Sequence, residues 1–409
     1  MKIGYYIPAW PPGSVPNGIV TTLGHLGTQL RSMGHQVFYI TPIVPPDIND
    51  KHVISLIASN QTSLLDKLRF KWDFESAIFE RHADAIANTL VRLVENEGID
   101  IFQMEETHGW ARRVISRVNV PVVVRLHGPW FLNHEKGAAK EDKPENLHRI
   151  EREGKAVRAA VALTAPSSNV MELTQRHYQI SPPRSKVIPN PMTARPPAGR
   201  WSLDHCDRNE ILFVGRFDRI KGADVLLQAF ATVAAIHPSL KLTFVGPDIG
   251  LVGANGESMD LASFCRKEIP ESVLKRIDFR GPLPRSEIEN LRTRAYMTIV
   301  PSRYEVFGNV VIEAMAAGSP IVASNAGGIP EIIFDNRNGL IAEPGSVDAL
   351  AHSIVQLIEQ PDLAARLGKQ AVQDCAEWYE PEKIARETTE FYSAVIGQCG
   401  RSPHHAFTN

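Results

Sequence analysis

Short β-rich runs alternate with longer helical patterns along nearly the whole of the 409-residue chain. Lys2–Ile7 has the apolar pattern of a buried strand, and Ile19–Met33 carries apolar residues at helical spacing up to the break at Gly34. Neighbouring parallel strands need a crossover of about a dozen residues or more, which is usually a helix. The alternation therefore predicts βαβ units, whose right-handed crossovers bury a parallel sheet between layers of helices.

A proline-rich break divides the alternation into two series. The break is the sequence PMTARPPAGR at Pro191–Arg200, whose adjacent prolines resist helix formation, so it is interpreted as a linker. A chain of this length suits two domains of roughly 150–200 residues better than one core. We therefore expect an N-terminal domain over residues 1–190, a second domain over 205–385, and a C-terminal helix and tail over 386–409.

Composition excludes several classes of protein. The chain has 44 Lys and Arg against 46 Asp and Glu, and so lacks the basic balance that general nucleic-acid binding needs. Its four cysteines are scattered without a C-x-x-C pair, which indicates neither a zinc site nor a disulfide framework. The N-terminus, MKIGYYIPAW, has no signal-peptide pattern, and no apolar run approaches the roughly 18 residues that span a bilayer. These features predict a cytoplasmic protein with reduced thiols and no nucleic-acid partner.

One stretch mixes cationic and aromatic residues, LLDKLRFKWDF at Leu64–Phe74. Such a stretch can dock on anionic lipid or on an acceptor molecule, or it can be an amphipathic element packed on its own domain. Both alternatives stay open. The first would place the protein peripherally at the inner face of the membrane.

The segment most informative about chemistry is Pro301–Pro330, PSRYEVFGNVVIEAMAAGSPIVASNAGGIP. It begins where a predicted strand ends, which is where open α/β sheets bind ligands. Glu305 lies in the loop, the amides of Phe307–Asn309 open a helix and favour an anion, and Glu313 follows inside that helix. Two carboxylates so placed suit the vicinal hydroxyls of a hexose or a ribose. The alternative for a bare E-x7-E pair is a loop acid and a helix-surface acid.

The surrounding residues favour the ligand-binding interpretation. The segment resembles that of the retaining glycosyltransferases with the GT-B fold, a family that includes sucrose-phosphate synthases and bacterial mannosyltransferases. Their mark is E-x7-E, with F-G after the first Glu and an E-A-M/L-A-x-G-x-P-V/I stretch from the second. The resemblance extends over nearly the whole chain and is dense in the C-terminal half. The matching residues are Glu305, Phe307, Gly308, Glu313, Ala314, Met315, Ala316, Gly318, Pro320, Ile321, Gly327, Gly328, Pro330 and Glu331.

The resemblance implies roles for these residues. Glu305 would contact hydroxyls of the transferred sugar, and Glu313 would hold the ribose of the nucleotide. The amides near Phe307, Gly308 and Asn309 would contact the sugar and the phosphate. The resemblance also implies a nucleotide-diphosphate sugar as donor, and UDP- and GDP-sugars are the donors expected first. It further implies retention of anomeric configuration by attack on the same face.

A second segment, FVGRFDRIKGADVLLQAF at Phe213–Phe230, joins a strand end to a helix. Arg216 offers a planar fork of donors and Lys221 a point charge across one loop, so a diphosphate can sit between them. An exposed surface pair is the alternative. The family has G-R-x4-K-G here, with both cations on the donor's pyrophosphate, and this chain matches it. Because the chain has no D-x-D triplet, we expect these cations to replace a metal, and no cofactor to be needed.

Two positions in the N-terminal half belong to the same predicted site. Gly18 ends the loop after the first strand and allows close backbone approach to the donor, although a plain turn is the alternative. The family usually has two adjacent glycines there, whereas this chain has Asn17 before Gly18. His127 follows the predicted strand Pro121–Leu126, where the family places a loop near the transferred sugar. A strand-end histidine with no role in catalysis is the alternative.

Two further segments complete the predicted site. Asp278–Arg285, DFRGPLPR, resembles the family's F-x-G-x-L/V turn beside the nucleotide base, which implies contacts from Arg280 and Leu283. Glu106 and His108 follow another strand of the first sheet and are candidates for lining the acceptor side.

Together these features predict an α/β protein of two facing Rossmann-like domains in GT-B architecture, with the ligand in the cleft between them. We expect the N-terminal domain to bind the acceptor and the C-terminal domain to bind the nucleotide sugar. A hexose-type sugar would then move to a hydroxyl of a saccharide, a lipid-linked sugar or a small molecule. A nucleotide-sugar epimerase and a non-catalytic sugar-nucleotide binding protein are the alternatives. A dehydrogenase is not expected, since neither first-strand loop reads G-x-G-x-x-G.

Overall fold

A computed structural model of the protein describes residues 1–12, 15, 17–42, 44–46, 48–57, 74–135, 144–182, 184–252 and 258–399. The described residues form two units, one drawn from Met1–Phe131, Asp142–Pro191 and Pro381–Asn409, the other from Leu132–Glu141 and Met192–Glu380. Each unit is built on its own parallel sheet. Residues 64–73 of the cationic and aromatic stretch Leu64–Phe74 lie outside the described part of the chain.

The first sheet has seven parallel strands in the order β3-β2-β1-β4-β5-β6-β7. They are β1 (Lys2–Tyr6), β2 (Gln36–Thr41), β3 (Val53–Ser55), β4 (Ile101–Glu105), β5 (Val122–Arg125), β6 (Ala162–Ala165) and β7 (Ser185–Val187). The central strands are almost wholly buried, as expected for a sheet covered by helices on both faces. The order reverses between β1 and β4, so ligands are expected outside their carboxyl ends.

Within the described part of the chain, six helices accompany the strands of this sheet. They are α1 (Gly18–Ser32), α2 (Phe74–Glu97), α3 (Ala111–Ile115), α4 (Trp130–Glu135), α5 (Pro144–Ala159) and α6 (Ser168–Tyr178). After β4 the chain forms a 3-10 turn at Thr107–Gly109 and then the short helix α3. Gly109 has a φ of +76°, and a Cβ on it would lie 2.4 Å from the Arg152 carbonyl, so this turn packs tightly against α5.

The second sheet has six parallel strands in the order β12-β9-β8-β13-β14-β15. They are β8 (Asp207–Val214), β9 (Lys241–Val245), β12 (Ile277–Gly281), β13 (Ala295–Val300), β14 (Ile321–Ser324) and β15 (Leu340–Ala342), with a separate antiparallel pair of β10 (Leu251–Val252) and β11 (Ser258–Met259). All six residues of β13 are buried. Here the order reverses between β8 and β13.

Helices alternate with the strands of this sheet along the chain. They are α7 (Ala223–Ile236), α8 (Leu261–Glu268), α9 (Glu271–Leu274), α10 (Arg285–Arg294), α11 (Asn309–Ala317), α12 (Val347–Glu359) and α13 (Pro361–Trp378), with 3-10 turns at Pro197–Gly199 and Ile329–Glu331. The predicted α/β class with two parallel sheets is confirmed. Within the described residues, no helix has the length and apolar character needed to cross a membrane.

The segment predicted as a linker is packed against the second unit. The Met192 amide donates to the Tyr379 carbonyl at 2.7 Å, and the Arg195 amide donates to the Ala316 carbonyl at 3.0 Å. Trp201 is buried, and its indole N–H donates to the Ala295 carbonyl at 2.9 Å. The prolines prevent a helix here, and these backbone bonds fix the extended chain instead.

The last helix, α14 (Pro381–Cys399), belongs to the first unit. It begins at Pro381, earlier than residue 386, which is the predicted start of the C-terminal helix. Its apolar face packs against α1 and the first sheet. The Tyr392 hydroxyl donates to the Gln103 side-chain oxygen at 2.7 Å, which satisfies two polar groups inside this core.

Candidate active site

Two loops approach each other at the carboxyl ends of β8 and β13, where the strand order of the second sheet reverses. Gly222 makes this approach possible, because its φ is +66° and a Cβ on it would lie 2.0 Å from the Pro301 carbonyl oxygen. Arg303 then ties the loops together. Its amide donates to the Ile220 carbonyl at 2.7 Å, and its guanidinium forms a bidentate pair with Asp224 at 2.7 and 2.8 Å.

Lys221 and Glu305, which come from separate sequence motifs, are in direct contact. The Lys221 Nζ donates to Glu305 Oε1 at 2.6 Å, and the Ser302 hydroxyl donates to the same oxygen at 2.9 Å. Their side chains are 25% and 11% exposed, so both groups remain reachable from solvent. A cation and a carboxylate therefore meet at the edge of the sheet where ligands are expected.

Arg216 joins this arrangement through Asp218. The Arg216 guanidinium pairs with Asp218 Oδ2 at 2.7 Å, and the Lys221 amide donates to Asp218 Oδ1 at 2.7 Å. One buried carboxylate thus shapes the loop that carries both cations. Arg216 itself is 50% exposed, so its guanidinium has room to reach a ligand.

Two glycines hold the backbone of Glu305 from the other side. Gly327 has a φ of +59°, and a Cβ on it would lie 2.0 Å from the Glu305 carbonyl oxygen. The Gly328 amide donates to that oxygen at 2.8 Å. Gly327 is therefore needed for the close backbone approach, and the Gly328 amide helps to fix the position of Glu305.

The N-terminus of α11 is formed by Phe307, Gly308 and Asn309, each of which has a different role. Phe307 is buried and packs edge-on against Tyr379 at 5.8 Å between ring centroids, so its side chain anchors the loop in the core. Gly308 has a φ of +104° and makes the turn into the helix that begins at Asn309. Only backbone groups of Phe307 and Gly308 can serve a ligand, as the sequence analysis expects for amides at a helix N-terminus.

Glu313 lies on α11 and is paired with a cation that the sequence did not single out. The Arg292 guanidinium donates to Glu313 Oε2 at 2.5 Å. Arg292 is 2% exposed, whereas Glu313 is 24% exposed. The buried arginine therefore orients the carboxylate at the surface of the unit.

Arg280 lies in β12, which is an edge strand, and Leu283 follows its end. Arg280 is exposed and pairs with Asp278 at 3.3 Å, while Leu283 packs partly buried against Leu212 and its neighbours. Within the described residues, no hydrogen bond or ion pair links either residue to Arg216, Lys221 or the two glutamates. Their predicted contacts with the nucleotide base stay a prediction.

Gly18 is the first residue of α1 in the first unit. The Asn17 side chain before it caps the helix, because its Oδ1 accepts from the amides of Ile19 at 2.8 Å and Val20 at 3.4 Å. The asparagine that stands where the family has a first glycine is therefore a helix cap. The exposed backbone of Gly18 follows it at the end of the β1 loop.

Two buried carboxylates hold the loop that follows β5. Glu106 accepts from the backbone amides of His127 at 2.9 Å and Gly128 at 2.8 Å, and Glu153 accepts from the Trp130 amide at 2.7 Å. Glu106 was a candidate for lining the acceptor side. Its two oxygens instead bind backbone amides, because Glu106 leaves β4 directly beside the end of β5. It therefore positions the His127 loop.

The electrostatic environment of this loop decides the protonation of His127. Burial first, and the Arg125 charge second, hold the pKa of His127 well below its usual value, so the imidazole is neutral near pH 7. Burial and the neighbouring Glu153 raise the pKa of Glu106 to about 8. Burial also raises the pKa of Glu105 to about 7. A neutral His127 can donate one hydrogen bond and accept another.

Several residues of the site could not be found from the sequence motifs. Asp218 precedes Lys221 by three residues, a spacing typical of a side chain that caps a turn, so a local signal exists. Arg292 and Arg303 act through partners far away in the chain, and no spacing indicates them. Glu153 has an i,i+4 partner in Arg149, but the two amides that it binds lie far away in the chain. Within the described residues, no group of three or more His, Cys, Asp or Glu side chains is arranged to hold a metal ion.

The two halves of the chain match two glycosyltransferase families. Residues 16–194 match the family described as Glycosyltransferase Family 4, and residues 200–374 match Glycosyl transferases group 1. A D-inositol 3-phosphate glycosyltransferase of Streptomyces scabiei is 30% identical over 297 residues, which cover 70% of this chain and 65% of that protein. A glycogen synthase of Mycobacterium tuberculosis is 32% identical over 187 residues, which cover 46% and 42%. The chain thus spans less than two thirds of the length of these relatives.

Solved structures share the architecture. The sucrose-phosphate synthase of Thermosynechococcus elongatus superposes with a TM-score of 0.75 at 21% identity, over 97% of this chain and 100% of that one. HepE of Anabaena, crystallised with UDP, superposes with a TM-score of 0.70 at 19% identity, over 96% and 100%. At these identities the likeness concerns the fold.

Two parallel Rossmann-like sheets, with ligand motifs after the central strands of the second, define the GT-B class of fold. The chain belongs to the GT-B glycosyltransferases.

Proposed function

We propose that the protein is a retaining, metal-independent glycosyltransferase that moves a hexose-type sugar from a nucleoside-diphosphate donor to an acceptor hydroxyl. The observation that carries this proposal is the contact of 2.6 Å between Lys221 Nζ and Glu305 Oε1. A lysine suits the phosphate that leaves, and a carboxylate suits the hydroxyls of the sugar. In a nucleotide sugar these two parts are joined by the bond that breaks, so their ligands must lie side by side.

The chemical step follows from the charges that develop. As the anomeric carbon–oxygen bond breaks, negative charge builds on the diphosphate oxygen. Arg216, Lys221 and the amides at the start of α11 are fixed donors that stabilise that charge. The loop holds them before the donor arrives, because Asp218 binds both the Arg216 guanidinium and the Lys221 amide.

We propose retention of the anomeric configuration from the family resemblance together with the residues present at the site. The acceptor hydroxyl would attack the face that the diphosphate leaves, and its proton would pass to the departing phosphate oxygen. No protein nucleophile on the opposite face is required for this route. His127, neutral near pH 7, would hydrogen-bond a sugar hydroxyl or orient the acceptor.

For the base of the donor nucleotide and for the acceptor, we propose classes of molecule and not single compounds. HepE has been crystallised with UDP and with UDP-glucose, which makes UDP-sugars the first donors to test, followed by GDP-sugars. The acceptor is a saccharide, a lipid-linked sugar or a small molecule. We place the enzyme in the cytoplasm, with peripheral membrane contact through Leu64–Phe74 as a further option.

A donor screen tests the proposed function. The purified protein is incubated with UDP-, GDP- and ADP-sugars, and binding and slow hydrolysis are followed by release of the nucleoside diphosphate. We expect one nucleotide-sugar class to bind and to be cleaved. If no nucleotide sugar binds at millimolar concentration, the proposal is wrong.

Catalysis is expected to need no divalent metal, because Arg216 and Lys221 supply the charge that a metal supplies elsewhere. Turnover of the donor found in the screen should be unchanged when EDTA is added in excess. The control is a D-x-D-type glycosyltransferase in the same buffer, whose activity should disappear. Complete loss on chelation, restored by magnesium or manganese, would contradict the prediction.

Glu305 and Glu313 should have separable roles in the donor. Glu313→Gln keeps an oxygen for Arg292 but removes the charge that suits two ribose hydroxyls, so it should weaken binding of the free nucleoside diphosphate about tenfold. Glu305→Gln should leave that affinity unchanged, because the free nucleotide lacks the sugar. Isothermal titration calorimetry measures both, with exposed Glu287→Gln on α10 as control. The opposite order would overturn the assignment.

A further inference from the structure

Three buried glutamates lie close to one another beside the His127 loop. Glu105 ends β4, Glu106 follows it, and Glu153 belongs to α5. They are 6%, 0% and 0% exposed, and each carboxylate acts electrostatically on at least one of the others. We call them the glutamate cluster. Because two of its members bind amides of the His127 loop, the charge of the cluster bears on the position of that loop.

The oxygens of Glu106 and Glu153 are already occupied by donors. Glu106 accepts from two amides of the His127 loop at 2.8 and 2.9 Å, one on each oxygen. Glu153 accepts from the Trp130 amide at 2.7 Å on one oxygen and from Arg149 Nε at 2.8 Å on the other. An N–H group can only donate here, so a proton on either glutamate would face a donor and weaken one of these bonds.

Glu105 differs from its two neighbours. Its Oε2 atom is buried, and no hydrogen-bond partner for it exists among the described residues. Within the same part of the chain, the one ion pair of the cluster joins Arg149 to Glu153. A buried ionised carboxylate without a donor or a paired cation costs far more free energy than a neutral carboxyl group. Glu105 Oε2 is therefore the oxygen of the cluster that takes a proton at the lowest cost.

Other charged and titratable groups of the described residues face the cluster from several elements. They are Tyr6 of β1, His108 of the turn after β4, Arg125 of β5, His127, Arg149 of α5 and Tyr178 of α6. Burial raises the pKa of both tyrosines and lowers the pKa of both histidines, so these four side chains are uncharged near neutral pH. The two guanidinium groups keep their charge. Among these groups, the glutamates are the ones whose charge changes near neutral pH.

The electrostatics of the cluster agree with its geometry. Burial raises the pKa of Glu105 to about 7 against the charge of Arg149. Burial first, and the Glu153 charge second, raise the pKa of Glu106 to about 8. Because the carboxylates interact, the cluster takes up and releases protons as a unit. It therefore holds a proton below about pH 7 and loses it between about pH 7 and 8.

We propose that Glu105 is a positioning residue, which holds a proton so that Glu106 and Glu153 keep their bonds to the His127 loop. When the proton leaves for solvent, Glu105 becomes a third buried negative charge beside the other two. Repulsion then separates the carboxylates, and the amides of the loop lose their acceptors. His127 is thereby displaced from the position that turnover needs. This last step rests on the proposed transferase function, whereas the proton and the loop are measured without a donor.

The same proton makes the stability of the protein depend on pH. A glutamate in the unfolded chain has a pKa of about 4.3, whereas the folded cluster keeps its proton up to about pH 7–8. Between these limits the folded state binds more protons, so the free energy of unfolding falls as the pH rises and levels off above about pH 8. Glu105→Gln carries a neutral amide of the same shape, so its melting temperature should depend less on pH over this range.

NMR spectroscopy of the wild type with carbon-13-labelled glutamate tests the proton directly. We expect one side-chain carboxyl signal, missing from the spectrum of Glu105→Gln, to titrate with a midpoint between about pH 7 and 8. The control is Glu151→Gln, because Glu151 lies on α5 but is exposed and paired with Lys155. This control should keep the titrating signal. If no glutamate carboxyl of the wild type titrates above about pH 6, the proposal is wrong, whether or not the variant folds.

The position of the loop has a readout of its own. The side-chain NMR signals of His127 should move between about pH 7 and 9 in the wild type and stay in place in Glu105→Gln. Titration of His127 itself does not account for such a movement, because burial holds its pKa well below the usual value. Signals that stay in place in the wild type, or that move equally in both proteins, overturn the proposal.

Kinetics with the donor found in the screen tests the link to turnover. A rate that follows one bound proton with a pKa of about 8 falls about tenfold between about pH 7 and 9. We expect this fall of kcat in the wild type and in Glu151→Gln, and a change within about twofold in Glu105→Gln. Glu106→Gln should lose rate at both pH values, because its amide N–H group would face an N–H of the loop.

The outcomes separate this inference from the proposed function. Equal pH dependence of kcat in Glu105→Gln and the wild type contradicts the positioning role. If the carboxyl titrates and the His127 signals move as expected, but no nucleotide sugar is cleaved, the transferase function fails and the control of the loop by Glu105 stands.

Discussion

Arg216→Ala and Lys221→Ala are each expected to lower kcat by about 10²–10³-fold, or roughly 3–4 kcal/mol of transition-state stabilisation. Both cations are carried by one loop, which Asp218 shapes through the Arg216 guanidinium and the Lys221 amide. The reason for the size of the effect is that fixed donors need no reorganisation when charge develops on the leaving phosphate. Steady-state kinetics with the donor from the screen measures it.

The control for this pair is Arg219→Ala. Arg219 lies in the same loop and is exposed, and among the described residues only its carbonyl is engaged, by the Arg303 guanidinium and the Gly222 amide. Its loss should leave turnover within about twofold of the wild type, as for surface substitutions away from functional groups. Circular dichroism checks that all three variants are folded. Near-normal turnover of both Arg216→Ala and Lys221→Ala would refute the assigned roles.

His127→Ala is expected to lower kcat by about 10²-fold with little change in nucleotide affinity. The backbone of His127 is held by Glu106, so the substitution removes the imidazole without releasing the loop. The neutral imidazole can hydrogen-bond a sugar hydroxyl as charge builds at the anomeric carbon. A group that acts only in the transition state affects kcat and leaves ground-state binding unchanged.

Kinetics and calorimetry on His127→Ala are compared with His148→Ala, an exposed histidine of α5. The control should behave as the wild type. Equal losses of nucleotide affinity and of rate would assign His127 to ground-state binding. No loss of either would leave it as a histidine at a strand end with no role in catalysis.

The contact between Lys221 and Glu305 illustrates what the sequence makes predictable. The two residues are 84 positions apart, yet each follows a strand of the same sheet, and parallel strands bring their carboxyl ends to one edge. The reversal of strand order between β8 and β13 then places the two loops side by side. The motifs indicate that Lys221 and Glu305 belong to the site, and the strand order explains why their side chains are in contact.

The groups that hold the site were not predictable in the same way. Arg292 orients Glu313, and Arg303 ties two loops through Asp224, but each bond depends on side-chain directions that no spacing encodes. Glu106 was expected to face an acceptor, whereas it binds backbone amides beside β5. The path of the chain after β4 decides this, and His108 adopts an unusual conformation there.

Glycine and proline also act through tertiary contacts that the sequence does not show. Gly109 ends the 3-10 turn before α3, because only a residue without a side chain fits against the Arg152 backbone. The segment Pro191–Arg200 was expected to be a linker from its prolines, but backbone hydrogen bonds fix it on the second unit. Helix α13 begins at Pro361, whose place in the first turn is a recognisable start signal.

The central claim is that the protein breaks the anomeric bond of a nucleotide sugar and transfers the sugar. The most direct measurement is NMR spectroscopy of one reaction that contains the cleaved donor, a mixture of candidate acceptors and EDTA. We expect free nucleoside diphosphate and a new glycoside to appear together, with the anomeric configuration of the donor. A donor that is converted to an epimer without nucleotide release, or that is bound and never cleaved in the presence of any acceptor, would contradict the account.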